Sequence, residues 1–583
     1  MHKILFIFTL LSIYGFSQPY EAKNIDFENI GLLPPMKIPL ILSGNFCEMR
    51  SNHWHTGLDI KTQGVEGIPL YAVDEGVISR VRVSPWGYGL AVYIDHPNGL
   101  TSVYAHMQSF SSTIDSLVYA VQKETESYVV NEMVLERGVQ VKRGEFIGKS
   151  GNSGSSAAAH LHFELRETKT EHALNPLKFK CYRKKIHDTT KPTLKGIKVY
   201  AVTDKGYMIP GKSKYYYVKL VEGKYILNDN LPIDINDIAT KNAYLAFGFH
   251  VTDKLDGAGN VCGIHHAILS KGEEKLHEHK TDYMNFDHNR FINSHQDYYE
   301  FTQNRRNIHK AFKTVVNPMP IYLQEPVFVP FYSCDGTYNF KALDVHGNYI
   351  VLNFDIAESA KSFAKNPFDK PQDYYFPDSV NTLLHPNFQL LMEPGTFYEP
   401  LQKMFRIDSA APYLSYGYEF SESDIPVQKN FDVRMKVPDL PADFPTSKLG
   451  IGVISTKGYL SWKGGDYING WVESNSRDFG KFVLLVDTIA PKITPLDFNE
   501  NKTITRYRTM ELKIEDNLAG VWQYKAFING EWVLMEYDRR KMKYIIPLDE
   551  RSKHLLKTGK NEIKIFANDG KGNKTEASWN VIY

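Results

Sequence analysis

The 583-residue chain has four cysteines, and no two of them stand in a Cys-x-x-Cys spacing. That excludes the usual cysteine-based zinc sites. It has no excess of either charge: 68 Lys and Arg face 67 Asp and Glu, a balance of +1. A protein that holds nucleic acid through bulk positive charge is therefore excluded. Beyond its first residues no stretch reaches 18 apolar residues, so no membrane-spanning helix is expected in the mature chain. Apolar residues are not scarce, however. A hydrophobic share of 42% and a charged share of 23% exclude a largely disordered chain. The excess lies in the aromatics, with 36 Tyr and 33 Phe making most of a 13% share. Aromatic side chains suit half-buried pleated surfaces, so the chain is expected to be mainly β. At roughly 150 residues per domain it should contain about three to five domains.

The first 17 residues read as a secretory signal peptide. His2 and Lys3 precede an apolar run from Ile4 to Phe16, and Ser17 offers a small residue for cleavage. The run is too short for a comfortable span. No cysteine follows it, so no lipid attachment is expected. The product is thus expected to be exported, to a periplasm, a cell envelope or the exterior. Export makes disulfides an option. Cys47 and Cys181 fall in one expected domain and Cys262 and Cys334 in another. Two intradomain bridges or four buried thiols fit equally well.

An internal repeat divides the chain. Asp188-Thr-Thr-Lys-Pro192-Thr-Leu194 resembles Asp487-Thr-Ile-Ala-Pro491-Lys-Ile493, with a weaker copy at Asp408-Ser-Ala-Ala-Pro412-Tyr-Leu414. Two copies have matching far ends, Ala342-Leu-Asp-Val-His-Gly-Asn348 and Ala567-Asn-Asp-Gly-Lys-Gly-Asn573. Proline sets a turn before an alternating strand, and Gly-Asn supplies a tight hairpin before the last one. Short strands and turns such as Asn529-Gly530 fill the interval. The pattern suggests β-sandwich modules of roughly 100 residues. The last, 485–583, resembles the bacterial immunoglobulin-like domains of secreted proteins. The first, 188–357, looks like the same unit with an insertion near 272–320. Residues 358–484 are strand-rich without a recognisable fold.

The chemistry lies ahead of the repeats. His55-Thr-Gly-Leu-Asp59, Tyr104-Ala-His106 and His160-Leu-His162-Phe-Glu164 follow in that order. In a strand, His160, His162 and Glu164 share one face, while Leu161, Phe163 and Leu165 anchor the other. The same alternation puts Ser102, Tyr104 and His106 on one face and Val103, Ala105 and Met107 on the other. His55 and Asp59 are four apart, but Thr56 and Gly57 favour a loop leading into a strand. Two imidazoles and a carboxylate suit Zn²⁺ better than Mg²⁺ or Ca²⁺. His55, Asp59 and one histidine of the His-Leu-His pair would make such a set. A zinc-bound water becomes a usable nucleophile near neutral pH, and the remaining histidines can move protons or steady an oxyanion.

These motifs together resemble the lysostaphin/LytM-type zinc endopeptidases, which cut peptidoglycan peptides. The flanking text is similar too. Pro69-Leu-Tyr-Ala-Val-Asp-Glu-Gly76, Tyr88-Gly-Leu-Ala-Val-Tyr-Ile-Asp-His96-Pro-Asn-Gly99 and Val139-Gln-Val-Lys-Arg-Gly144-Glu-Phe-Ile-Gly148-Lys-Ser-Gly-Asn-Ser-Gly154 resemble the family's sheet turns and hairpins. The resemblance covers about residues 36–180. It implies a small antiparallel β-domain of the duplicated-hybrid-motif type, spanning 18–183, with a groove across its sheet. It implies zinc on His55, Asp59 and His162, and His106 and His160 as the catalytic pair. The expected partners are peptidoglycan peptides and, through the β-modules, envelope proteins. A monomer is expected. Two alternatives remain: a non-catalytic regulator of other wall hydrolases, and an exported metallopeptidase acting on proteins.

Other residues carry plainer expectations. His53 lacks the spacing of a ligand and should be exposed or beside the site. Tyr104 should pack, Glu164 should either orient a histidine or face solvent, and His96 should be a loop residue in a Pro-Asn-Gly turn. Lys142 and Arg143 should form a solvated turn. Ala157-Ala-Ala159 stands where family members often carry Gly or Pro, and small residues still permit close backbone approach. The 108–137 segment is longer than the link in compact members. It is expected either to wall the substrate groove or to decorate the surface.

Overall fold

The computed structural model describes residues 25–409, 412–504 and 509–583. The expected signal peptide, 1–17, lies outside the described residues. The chain is mainly β, as its aromatic and β-branched content implies.

The first body is built on β1 (Leu42–Gly44), β2 (Met49–Arg50), β3 (His53–Trp54), β4 (Leu58–Lys61), β5 (Pro69–Tyr71), β6 (Gly76–Val83), β7 (Leu90–Asp95), β8 (Leu100–Phe110), α1 (Ser112–Thr125), β9 (Val130–Val141), β10 (Phe146–Ser150), β11 (His160–Glu167) and β12 (Ala173–Leu174). Its main sheet runs β1-β4-β11-β8-β7-β6-β9, with β10 bridging β5 and β8. Alternation decides which face is dry. Leu58 and Ile60 of β4, Leu161, Phe163 and Leu165 of β11, and Tyr104 of β8 are all fully buried in one core. Full burial of such side chains is worth about 1.5–3 kcal/mol each. Gly99 has φ +82°, the left-handed turn that closes the β7–β8 hairpin after His96.

The expected extra segment becomes α1 and β9. The helix turns Ile114, Val118 and Gln122 inward and ends on Glu126 in a left-handed conformation. β9 then pairs along β6, from Val83↔Val130 to Gly76↔Val141.

Among the described residues, three further large cores follow along the chain. One gathers residues from Leu194 to Ala360. The next, Tyr375 to Leu484, lies with two five-stranded sheets. The last, Phe498 to Val581, lies with two four-stranded sheets. The repeated ends clasp each other. Asn348 Nδ2 donates to Asp188 O at 3.1 Å and to Asp344 Oδ2 at 2.7 Å. Asn573 Nδ2 repeats this on Asp487 O at 3.0 Å and Asp569 Oδ2 at 2.6 Å. The sequence repeat is therefore a physical lock between the first and last strands of each unit. The weaker copy differs, because Asp408 ends the exposed strand Arg406–Asp408 inside the third body.

All four cysteines are free thiols, so neither candidate disulfide forms. Cys262 joins the core of the first body rather than that of the second. Its loop reaches across, where Asn45 and Gly263 exchange two hydrogen bonds of 2.8 and 2.9 Å. β12 also pairs with Tyr283–Met284, which ties the 272–320 insertion to the first sheet.

Candidate active site

β11 lies between β4 and β8, and register brings the candidate residues together. His162 sits opposite Asp59 on one side and Ala105 on the other. His55 enters from the loop after β3 and is fixed by its backbone, which exchanges bonds with Cys47 and Glu48. Gly57 permits the close approach of this loop to β11. A Cβ there would stand 2.4 Å from Phe163 O and 3.1 Å from His162 Nε2.

The geometry at the centre is tight. His55 Nε2 lies 2.9 Å from Asp59 Oδ1 and 2.9 Å from His162 Nδ1, and His162 Nδ1 lies 3.0 Å from Asp59 Oδ1. The outer ring nitrogens are already engaged. His55 Nδ1 donates to Asn45 O at 2.7 Å, and His162 Nε2 donates to Glu164 Oε1 at 2.8 Å. Those bonds fix the neutral tautomers so that two imidazole lone pairs and one carboxylate oxygen converge on one point. Three acceptors facing one another are repulsive unless a cation sits among them. The donor set therefore fits a divalent metal, and its outer partners are those that orient metal-bound histidines.

Electrostatics agree. Burial pulls the His55 imidazolium down to about 4. Burial also disfavours protonation of His162, but its bonds to Asp59 and Glu164 outweigh that and raise it to about 9. Without a cation, a proton takes its place. Burial would raise Asp59, yet His55 and the hydrogen bonds of His160 and His162 hold it well below the ordinary carboxylate range.

His160 and His106 stand beside this centre. His160 Nε2 is 3.3 Å from Asp59 Oδ1, and its Nδ1 lies 2.8 Å from Ala158 O. The His106 and His160 ring centres are 4.9 Å apart. His106 does not arrive by simple alternation. Tyr104 lies opposite Phe163 and points into the core, where its hydroxyl accepts from Val73 N at 2.9 Å. Strict alternation would bury His106 beside it. Instead β8 bulges between its partners Leu90 and Val92, and His106 takes φ +59°. The bulge re-aims the imidazole to the opposite face. The expectation that Tyr104 and His106 share a face is thus corrected. His106 Nδ1 donates to Ser153 O at 2.9 Å, and burial pulls its imidazolium down to about 3.

Further groups hold these residues in place. Arg50 pairs with Asp59 Oδ2 and with Glu48, which leaves Oδ1 for the centre. Glu164 is fully buried, so the solvent-facing alternative is excluded. It collects Thr56, Tyr88, His162 and Arg166. Tyr88 stacks on His162 at 5.3 Å. These groups meet only through cross-strand register, which no local motif reports. His96 lies in the turn between β7 and β8, as expected, but it is buried there between Glu75 O at 2.7 Å and Ser102 Oγ at 2.8 Å. His53 is exposed, and so are Lys142 and Arg143.

An open cleft of about 660 Å³ runs over Asp59, His106 and His160. Ser155 to Ala159 form one bank, and Asn260 of the second body reaches the other. Among the described residues, none of the 108–137 segment lines it. The outer side of α1 instead meets the last body, where Tyr119 OH donates to Arg551 O at 3.1 Å.

Parts of the chain are similar to known proteins. Residues 53–124 and 118–176 match the profile of peptidase family M23, and residues 373–487 match a Zu5-like domain. The chain is 33% identical over 112 residues to the DD-carboxypeptidase/endopeptidase Mpg of Neisseria meningitidis, covering 19% of this chain and 20% of that protein. It is 29% identical over 99 residues to the peptidoglycan DD-endopeptidase ShyA of Vibrio cholerae, covering 17% of each. The chain thus matches about a fifth of the length of these relatives. Among solved structures, the catalytic domain of lysostaphin from Staphylococcus simulans aligns at 22% identity over 24% of this chain and 91% of that one, with a TM-score of 0.19. Residues 53–176 carry a domain of peptidase family M23.

Proposed function

We propose that this protein is an exported zinc endopeptidase that hydrolyses peptide cross-links of peptidoglycan. The observation that carries the reading is the convergence of His55 Nε2, His162 Nδ1 and Asp59 Oδ1 on one point, at 2.9–3.0 Å from one another. His55, Asp59 and His162 would hold the zinc, and nitrogen-rich donors favour it over Mg²⁺ or Ca²⁺. When bound, the ion supplies a Lewis acid that acidifies water and polarises a carbonyl. The rest falls to the chain. Asn45 and Glu164 keep the two imidazoles in ligand tautomers, and Arg50 occupies the far oxygen of Asp59. His106 has spent its Nδ1 proton on Ser153 O, so its Nε2 is free to accept one from the attacking water. His160, at the rim of the cleft, holds its Nδ1 proton on Ala158 O, and once its Nε2 has also gained a proton it is placed to donate that one towards the carbonyl oxygen or the leaving amine. The two act as a coupled pair.

The M23 match and the peptidoglycan-cutting relatives support the substrate class. The open cleft, with small Ala157–Ala159 on one bank, suits an extended peptide. The test is digestion of purified cross-linked muropeptides by the mature chain. Zinc-dependent release of monomers that vanishes in His162→Ala is expected. A folded chain that binds no zinc and releases nothing would overturn the reading, and cleavage of unfolded protein substrates alone would redirect it to proteins.

A further inference from the structure

Four histidines lie together inside the second body, away from the cleft. His277 and His279 sit on the strand Glu274–Lys280, His295 ends the helix Ile292–His295, and His309 lies on the strand Ile308–Lys310. None is more than 3% exposed. One ring nitrogen from each of His279, His295 and His309 falls within 4.8 Å of the other two. His295 Nε2 lies 3.0 Å from His309 Nδ1, and the His279 and His295 ring centres are 4.8 Å apart. His277 Nε2 lies 2.9 Å from His279 Nδ1.

Hydrogen bonding matches part of the grouping, since His295 Nδ1 also lies 3.0 Å from Tyr322 Oη. Buried polar groups are normally matched throughout, yet His277 Nδ1, beside the proposed ligands, has no partner among the described residues. No carboxylate hydrogen-bonds any of the four among the described residues, and all four are shut away from water, so their ring nitrogens face one another as candidate metal donors. A donor set of nitrogen alone selects a zinc-class transition ion, not calcium or magnesium.

We propose that His279, His295 and His309 bind a second, structural zinc-class ion. Its role follows from what rests on it. The Trp54 ring packs against His295 with centres 5.1 Å apart, and Trp54 Nε1 donates to Met319 Sδ at 3.3 Å. Trp54 directly precedes His55. An ion that draws a strand, a helix and a second strand together would stiffen the bed on which the first body's catalytic loop sits. A site this buried has no room for substrate turnover, so it is a clamp within the second body, beneath Trp54 of the first.

The test is zinc content of the full chain, measured by elemental analysis after dialysis against metal-free buffer. Two equivalents are expected for the parent. A His55→Ala/Asp59→Ala variant, with the cleft centre removed, should keep one. A His279→Asn/His309→Asn variant should lose one. Zinc-free His55→Ala/Asp59→Ala protein, or two equivalents retained by His279→Asn/His309→Asn, would overturn the proposal. Should the second variant fail to fold, the first still decides. Its chelation by a strong zinc chelator should also lower Tm, which the cleft centre no longer explains. An unchanged Tm would reject the structural role.

Discussion

Glu164 borders the His55–Asp59–His162 centre without entering it, because its carboxylate is committed to His162 Nε2, Thr56, Tyr88 and Arg166. Arg166 and the hydrogen bonds overcome burial and hold it ionised, well below the ordinary glutamate range. Glu164→Gln keeps the shape but removes the charge that fixes the His162 tautomer. Loss of such a partner weakens metal binding about 10–100-fold. Competition with a chromogenic chelator should show that loss while the fold is retained. Affinity equal to the parent would mean that Asp59 alone orients His162. Gly57→Ala attacks the same point from the backbone, since its Cβ would meet Phe163 O at 2.4 Å. Such overpacking costs about 1–3 kcal/mol, and the strand shift should lower kcat more than tenfold on muropeptides. A variant with parent kcat would show that the β4–β11 contact is slack. At this scale the sequence was informative where chemistry is contiguous. His55 with Asp59 and His160 with His162 are local patterns, and the shared face of the second pair follows from strand geometry. It was silent on Arg50, Tyr88 and Arg166, whose contacts depend on which strands become neighbours. It misled at His106, because one extra residue in β8 inverts the alternation.

The repeated clasp shows how elements turn a weak motif into structure, and it stores a charge conflict. In the second body Asp188 and Asp344 surround Asp253, which is 2% exposed with a buried Oδ1 that has no partner among the described residues. Burial, helped by those two carboxylates, raises Asp253 to about 8. An aspartate in the unfolded chain titrates near about 3.9. The folded state therefore binds the proton more tightly. Its stabilising share is complete below about pH 4 and is lost as the pH rises through about 8. Asp253→Asn removes that dependence. In buffer without added divalent cations, Tm of the variant should exceed that of the parent at pH 8 by several degrees, with little difference at pH 5. Equal Tm at both pH values would mean that the cluster is relieved by rearrangement. The strands of this body were legible from alternation and turn residues. The clasp was visible only as two similar ends, because bonding between residues 160 positions apart leaves no local trace.

The bodies also meet as a whole, and the extra segment of the first body is where the last one lands. Tyr119 of α1 lies 6.4 Å from the Trp532 ring, Glu126 pairs with Lys525, and Asp115 stands 4.0 Å from Arg551. Nearer the cleft, Arg539 donates to Ser155 Oγ at 3.0 Å and covers the Trp86 ring at 4.2 Å, while Arg540 lies 3.9 Å from Glu66. Exposed ion pairs contribute about 0–1 kcal/mol each and a cation–π contact about 0.5–1 kcal/mol. Docking built from such terms is reversible and salt-sensitive, since screening shortens to about 3 Å at 1 M salt. It matters for catalysis because Ser155 belongs to the same loop as Ser153 and Ala158, whose carbonyls hold His106 and His160. Lys525→Glu with Arg539→Glu should therefore release the last body. The radius of gyration from small-angle scattering should rise, and amide exchange should quicken at 152–159 and along α1. KM for muropeptides should rise several-fold while the zinc content stays at the parent value. Raising salt should produce the same expansion in the parent chain. If neither treatment changes the radius, the contact is held by apolar packing around Tyr119 and Trp532, and the charged residues serve only to orient it.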